Sequence, residues 1–187
     1  MKNHEYSADI MKATDSIVFP RVGLKSVNRT LLAAMTNKQS NQDGTLSEEE
    51  INWLVRRAKG GFGIITTAAA NVTETGRGWD GEMGVWGDHQ LPGLVEMANQ
   101  LRQTETISLV QLFHGGMRAP KEINGVQPIS ASKNTESGMD GMYTREMSDE
   151  EINSMIESFT QAALRCEKAG FHGIELHGAH SYLICQF

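Results

Sequence analysis

Short apolar runs rich in branched residues alternate along this chain with longer segments whose apolar positions recur every three or four residues. That alternation predicts parallel strands joined by helical crossovers. Four such units are legible. The first strand is expected over Thr30–Met35, followed by a polar loop through Asn41 and Gly44 and a helix starting at Ser47. Ser47 and Glu50 have capping-box spacing, Ile51, Leu54, Val55 and Ala58 make one apolar face, and Gly60-Gly61 ends the helix.

The second strand runs from Phe62 to about Ala68, apolar and then small, as a strand covered on both faces should be. A loop through Gly76-Arg77-Gly78 to Trp86 leads to a helix with Leu91, Leu94, Val95, Ala98 and Leu101 at core spacing, and the third strand is Ile107–Phe113. From His114 to Met147 the chain is glycine-rich and polar, apart from the short Pro128–Ala131 segment. A loop of that length in a compact domain is usually functional. Ser148 and Glu151 start the third helix with a second capping-box pattern, Ile152, Met155, Ile156, Phe159, Ala163 and Cys166 line one face, and Gly170 stops it. The fourth strand, His172–His177, follows at once. Residues 1–28 form a separate leading segment, in which Ile17-Val18-Phe19 and Val22-Gly23-Leu24 suit a small hairpin plugging one end of the sheet.

Two architectures accept repeated β/α units, the doubly wound sheet and the (β/α)8 barrel. The first calls for a glycine-rich phosphate turn after an early strand, and neither GxGxxG nor GxxxxGK[ST] occurs. Polar groups instead cluster where strands end: Thr36, the Ala68-Ala69-Ala70 turn, Gln111 with His114, and His177 with His180. A barrel builds its active site from such ends, so residues 29–187 read as four of the eight units of an α/β TIM barrel.

Composition narrows the partners. A formal charge of −6 with interspersed signs carries no basic stripe for nucleic acid or an anionic membrane surface. The two cysteines, Cys166 and Cys185, fit no disulfide framework, CxxC or zinc knuckle, and no stretch resembles a signal peptide or spanning helix. A cytoplasmic protein with reduced thiols is the expectation.

The sharpest chemical constellation is His177-Gly178-Ala179-His180-Ser181-Tyr182 at the exit of the fourth strand. Imidazole N–H groups polarise a carbonyl as charge develops on it, and a phenol delivers a proton to carbon. Taken alone, the motif is equally a strand-end loop with incidental histidines. A metal pair is a further reading, although HExxH is absent and zinc needs a third protein ligand. Gln111, inside an apolar strand, requires a polar partner. Arg77, Arg118 and Lys121 read as solvated loop charges, and Trp79 with Trp86 as loop packing.

Four segments resemble the old yellow enzyme family in sequence and order. They are Asn28 to Thr36, Gly63-Ile64-Ile65 leading to Ala69 and Gly76-Arg77, Val110 to Gly116, and Ala169 to Leu183. The resemblance runs from about Ile17 to Phe187. It implies a (β/α)8 barrel binding FMN at the C-terminal strand ends, and hydride passed from NADH or NADPH through FMN to an activated alkene. By the same resemblance Ala33, Ala34, Met35 and Thr36 pass along the flavin, Ala69 offers backbone contact and Gln111 bonds the pyrimidine edge. His177 and His180 hold the substrate carbonyl, and Tyr182 protonates the α-carbon. Ala34 stands where relatives often carry proline, Thr67-Ala68 where many carry an acid, and Gly116-Met117-Arg118 shifts the usual arginine. The family continues through four more β/α units that anchor the FMN phosphate. The expectation is therefore a half-barrel that binds flavin weakly by itself and either self-associates or belongs to a longer chain. A non-catalytic interaction or ligand-binding module is the alternative.

Overall fold

The computed structural model describes residues 11–134 and 144–187. The start of the leading segment and residues 135–143 of the long loop lie outside the described residues. A hairpin comes first: β1 (Ile17–Phe19) and β2 (Leu24–Ser26) pair antiparallel, with Ile17 opposite Ser26. The turn between them uses Gly23 at φ +69, and the second strand starts at Leu24, two residues later than Val22-Gly23-Leu24 predicts. The segment that follows is pinned to the sheet's lower end by Asn28. Its amide donates to Gly61 O at 2.8 Å and its Oδ1 accepts from Gly63 N–H at 3.0 Å.

The sheet is parallel, in the order β3 (Leu31–Leu32), β4 (Ile64–Asn71), β6 (Ile107–Phe113), β9 (Gly173–Leu176), with β5 (Met83–Gly84) attached to the upper end of β4. Ordered neighbours joined by helical crossovers are what the apolar alternation predicts. The strand boundaries move, the fourth strand shortening to Gly173–Leu176 from the expected His172–His177. The first strand holds two residues rather than Thr30–Met35, because β4 bonds to β3 only at its lower end, so Ala33–Thr36 leave the ladder. The second strand extends to Asn71, since β6 pairs with it as far as Phe113 and β5 caps its other edge. Inside the long loop, helix α3 (Lys121–Asn124) and the two-residue strands β7 (Ile129–Ser130) and β8 (Arg145–Glu146) take up part of the backbone bonding.

Helices α1 (Glu48–Lys59), α2 (Leu91–Arg102) and α4 (Asp149–Ala169) pack in sequence along the sheet. The core they close contains Leu54, Ile65, Leu94, Met97, Leu101, Val110 and Leu112, all fully buried. Helix α4 starts with a complete capping box: Ser148 Oγ accepts from Glu151 N–H, and Glu151 accepts from Ser148 N–H at 2.9 Å. Its expected apolar face is only partly used. Ala162, Cys166 and Ala169 are buried, whereas Ile156 remains 60 % exposed and, with Met155, Phe159, Ile174 and Leu176, borders an apolar cleft of about 530 Å³. Beside that cleft β9 is bonded to β6 on one edge, and its other edge meets no strand among the described residues. No helix among the described residues is long and apolar enough to cross a membrane.

Candidate active site

Parallel register brings the strand exits together. Across the sheet Ala69 stands opposite Gln111, and Gln111 opposite Glu175. The β4 ladder slips between Thr66 and Ala69, a bulge that lets Thr67 turn its Oγ1 to accept the Gln111 N–H at 3.3 Å while its own O–H donates to Ala68 O. Gln111 finds the polar partner its setting demands: Nε2 donates to Glu175 Oε1 at 2.5 Å. Glu175 was not among the expected site residues, although it is the one charged side chain in the fourth strand.

Ala33 to Thr36 run beyond β3 as an extended rim, with Met35 48 % exposed. The loop that follows is held by Glu50. This carboxylate is fully buried in α1 and accepts from Asn37 Nδ2 at 3.0 Å and from the Ser40 hydroxyl. The Ser47-Glu50 capping box is therefore only half made. Ser47 Oγ accepts from Glu50 N–H, but the Glu50 side chain turns toward the rim instead of back to its own helix. Burial raises its pKa, against the two donors that lower it.

The His177–Tyr182 turn is tight. His180 and Ser181 both adopt the left-handed region, φ +57 and +55, a conformation that costs residues with a Cβ about 1–2 kcal/mol each. Three main-chain contacts fix it: His177 N–H donates to Leu112 O at 3.0 Å, Leu183 N–H to His114 O at 3.1 Å, and Arg118 Nη1 to His180 O at 3.1 Å. Arg118 thus reaches into this turn, contrary to its reading as a solvated charge, and its guanidinium lies 5.5 Å over the Tyr182 ring. The rings assemble edge to face: His177 is 5.1 Å from His180 and 4.9 Å from Tyr182, and Tyr182 is 4.5 Å from the fully buried Phe113. Trp79 stacks behind Phe113 at 5.4 Å, whereas Trp86 packs against His89, as loop packing requires.

Burial and the neighbouring His180 lower the His177 pKa, while the charge of Glu175 pulls the other way, so the ring is neutral near pH 7. Its Nδ1 accepts from Ala179 N–H at 3.4 Å, which leaves the ring proton on Nε2, 3.4 Å from His180 Nδ1. His114 plays a different part from the other strand-end groups. It is buried, its Nδ1 accepts from Gly116 N–H at 3.0 Å, and desolvation pushes its pKa down to about 4. The ring lies on the bare backbone of Gly76, where any Cβ would collide with it. Arg77 likewise binds loops together, donating to Gln42 O and Ile123 O. Buried Glu82 accepts from Gly78 N–H at 2.6 Å, and burial raises its pKa well above the carboxylate range.

The strand ends of this parallel β/α sheet gather an amide, two imidazoles and a phenol, and the C-terminal strand ends are where barrel folds build their sites. Residues 20–187 match the NADH:flavin oxidoreductase / NADH oxidase family, and the chain belongs to it. It is 35% identical over 166 residues to a Bacillus subtilis protein named as a probable NADH-dependent flavin oxidoreductase, covering 88% of this chain and 44% of that one. It is 38% identical over 174 residues to the NADH:acrylate oxidoreductase of Vibrio harveyi, covering 92% of this chain and 17% of the relative. The old yellow enzyme homologue from Zymomonas mobilis superposes with a TM-score of 0.85 at 26% identity, over 92% of this chain and 50% of that structure. The chain spans about half the length of the relatives of ordinary size that it matches. Among the described residues its sheet is an open parallel array in the order β3-β4-β6-β9.

Proposed function

We propose that the chain carries the substrate-facing and flavin-facing wall of an FMN-dependent ene-reductase that takes hydride from NADH or NADPH and reduces the C=C bond of an α,β-unsaturated carbonyl compound. The supporting observation is the row of groups across adjacent strand ends, with Gln111 in the floor and His177, His180 and Tyr182 gathered at its side. The residues fit a flavin ring. The Gln111 carbonyl oxygen meets no donor among the described residues, and the Ala33–Thr36 segment runs along the strand exits with Met35 exposed.

In this reading Ala33, Ala34, Met35 and Thr36 line one side of the ring, Ala69 lends main-chain contact and Gln111 binds the pyrimidine edge. When bound, FMN supplies the hydride chemistry. The N–H groups of His177 and His180 hold the substrate carbonyl and stabilise the negative charge that reaches its oxygen as the β-carbon gains hydride. Tyr182 then gives its phenolic proton to the α-carbon and recovers one from solvent. General acid catalysis of this kind contributes about 10²–10⁴-fold. Acrylate-like acids and enones are the substrates to try first, given the Vibrio harveyi relative.

The test is reconstitution of the chain with FMN. Weak binding that saturates at high FMN concentration, with yellow colour that bleaches with NADH or NADPH and recovers on adding an enone, is expected. Tyr182→Phe should slow the recovery by about 10²-fold or more while leaving the bleaching intact. A chain that retains no flavin under any condition overturns the reading. The apolar cleft beside β9 favours a second reading, a module whose open edge is covered by another polypeptide segment or a second copy. Light scattering of the purified chain tests it.

A further inference from the structure

We propose that Glu175 is a positioning residue that sets which way the Gln111 amide faces, and through it the hydrogen-bonding pattern on the floor of the site. The proposal rests on the flavin reading above for its purpose, though not for its geometry. Gln111 and Glu175 are directly opposed in the β6–β9 ladder, and the amide nitrogen lies 2.5 Å from Glu175 Oε1. An ionised carboxylate only accepts, whereas an amide has one accepting and one donating end. The flipped amide would set oxygen against oxygen. The rotamer with nitrogen toward Glu175 is therefore held, and Oε1 is left to face a donor.

The backbone beneath has no freedom to compensate, since the Gln111 N–H is bonded to Thr67 Oγ1 and β6 is paired on both sides. A flavin's pyrimidine edge presents an N–H between two carbonyl oxygens. A fixed outward Oε1 suits that N–H. The same carboxylate lies two residues before His177 on β9, and its charge opposes the effects of burial and of His180 on that ring. Phe113 and Tyr182 are the uncharged groups packed on His177. The same carboxylate thus hydrogen-bonds the Gln111 amide and acts on the His177 imidazole through its charge.

Isotope-labelled chain and its Glu175→Gln variant, which keeps the shape but loses the charge and the obligatory acceptor, provide the test by NMR. In the variant the Gln111 side-chain NH2 resonances should move to those of a solvent-exposed glutamine, His177 should titrate at lower pH than in the parent chain, and the FMN dissociation constant should rise about tenfold. Glu175→Asp keeps the charge but withdraws the oxygen by one methylene. It should move the Gln111 resonances and leave the His177 titration near that of the parent, and it decides the matter if the first variant does not fold. Unchanged Gln111 resonances in either folded variant overturn the proposal. Should neither parent nor variant bind FMN, the flavin reading fails alone, because the amide and imidazole signals are read without it.

Discussion

Along α1 and α2 most of the apolar stripe is buried: Leu54, Leu94, Met97, Ala98 and Leu101 have no exposure at all, and Leu91 and Val95 pack partly buried against the core. Along α4 the same kind of stripe divides in two. Its small members Ala162, Cys166 and Ala169 are buried, while Ile156 stays 60 % exposed and Phe159 and Met155 border the cleft beside β9. Both stripes have helical spacing, so periodicity does not separate them. Helix α2 has a helix on each flank, α1 and α4, and the sheet beneath it, β4 and β6, is paired on both edges. The α4 side has such a neighbour on one flank only. An apolar face states a demand for cover, and only the arrangement of the other elements meets it.

Truncation in the two regions should separate them most. Leu94→Ala or Leu101→Ala should cost about 3–5 kcal/mol in urea unfolding, because a rigid surround leaves a cavity. Ile156→Ala should cost under about 1 kcal/mol. A similar large loss at Ile156 would show that the cleft is covered in solution. The pH dependence sharpens the same contrast. His114, on the closed side, has a folded pKa of about 4 against an ordinary 6.5. Between these values the folded chain binds fewer protons than the unfolded one, so this contribution, full above pH 6.5, is lost as pH falls to 4. The loss is roughly 3 kcal/mol. Buried Glu50 and Glu82, whose pKa values are raised, act with the opposite sign and lose stability as pH rises above the ordinary carboxylate range. Comparing parent chain with His114→Asn across that window isolates the histidine, and equal slopes would remove it from the account.

Smaller effects distinguish the two helix starts and the strained turn. Ser148→Ala removes a complete capping box and should cost about 1 kcal/mol by thermal unfolding. Ser47→Ala should cost no more than that, since Glu50 is committed to Asn37 and Ser40 instead. Ser181→Gly should stabilise the chain by about 0.5–1 kcal/mol, because glycine adopts φ +55 without strain. A destabilised Ser181→Gly would mean that the hydroxyl, rather than the backbone, governs the turn.

Much of the candidate site could be proposed along the chain. His177, His180, Tyr182, Gln111 and the Ala33–Thr36 rim could be named because strand exits were recognisable and their order resembled a family. The third strand, Ile107–Phe113, coincides with its observed bounds, since β4 and β9 flank it on both sides. Arg118 and Glu175 were passed over. Arg118 sits in a stretch without period, and its contact with His180 O spans 62 residues. Glu175 sits in a short strand whose charged residue looks like ordinary solvent-facing alternation until its register against Gln111 is known.

The amino-acid sequence by itself determined the order and kind of the elements, the helix starts at Ser47 and Ser148, and the family, because periodicity, caps and ordered motifs are local properties. Tertiary structure decided that the Glu50 carboxylate leaves its own helix cap for the rim, that Glu175 accepts from the Gln111 amide, that His114 is a buried neutral ring on Gly76, and that half of the α4 stripe lies open. Each of these depends on which distant segment arrives beside a residue. Spacing along the chain records how apolar or polar a position is, and packing alone supplies its partner.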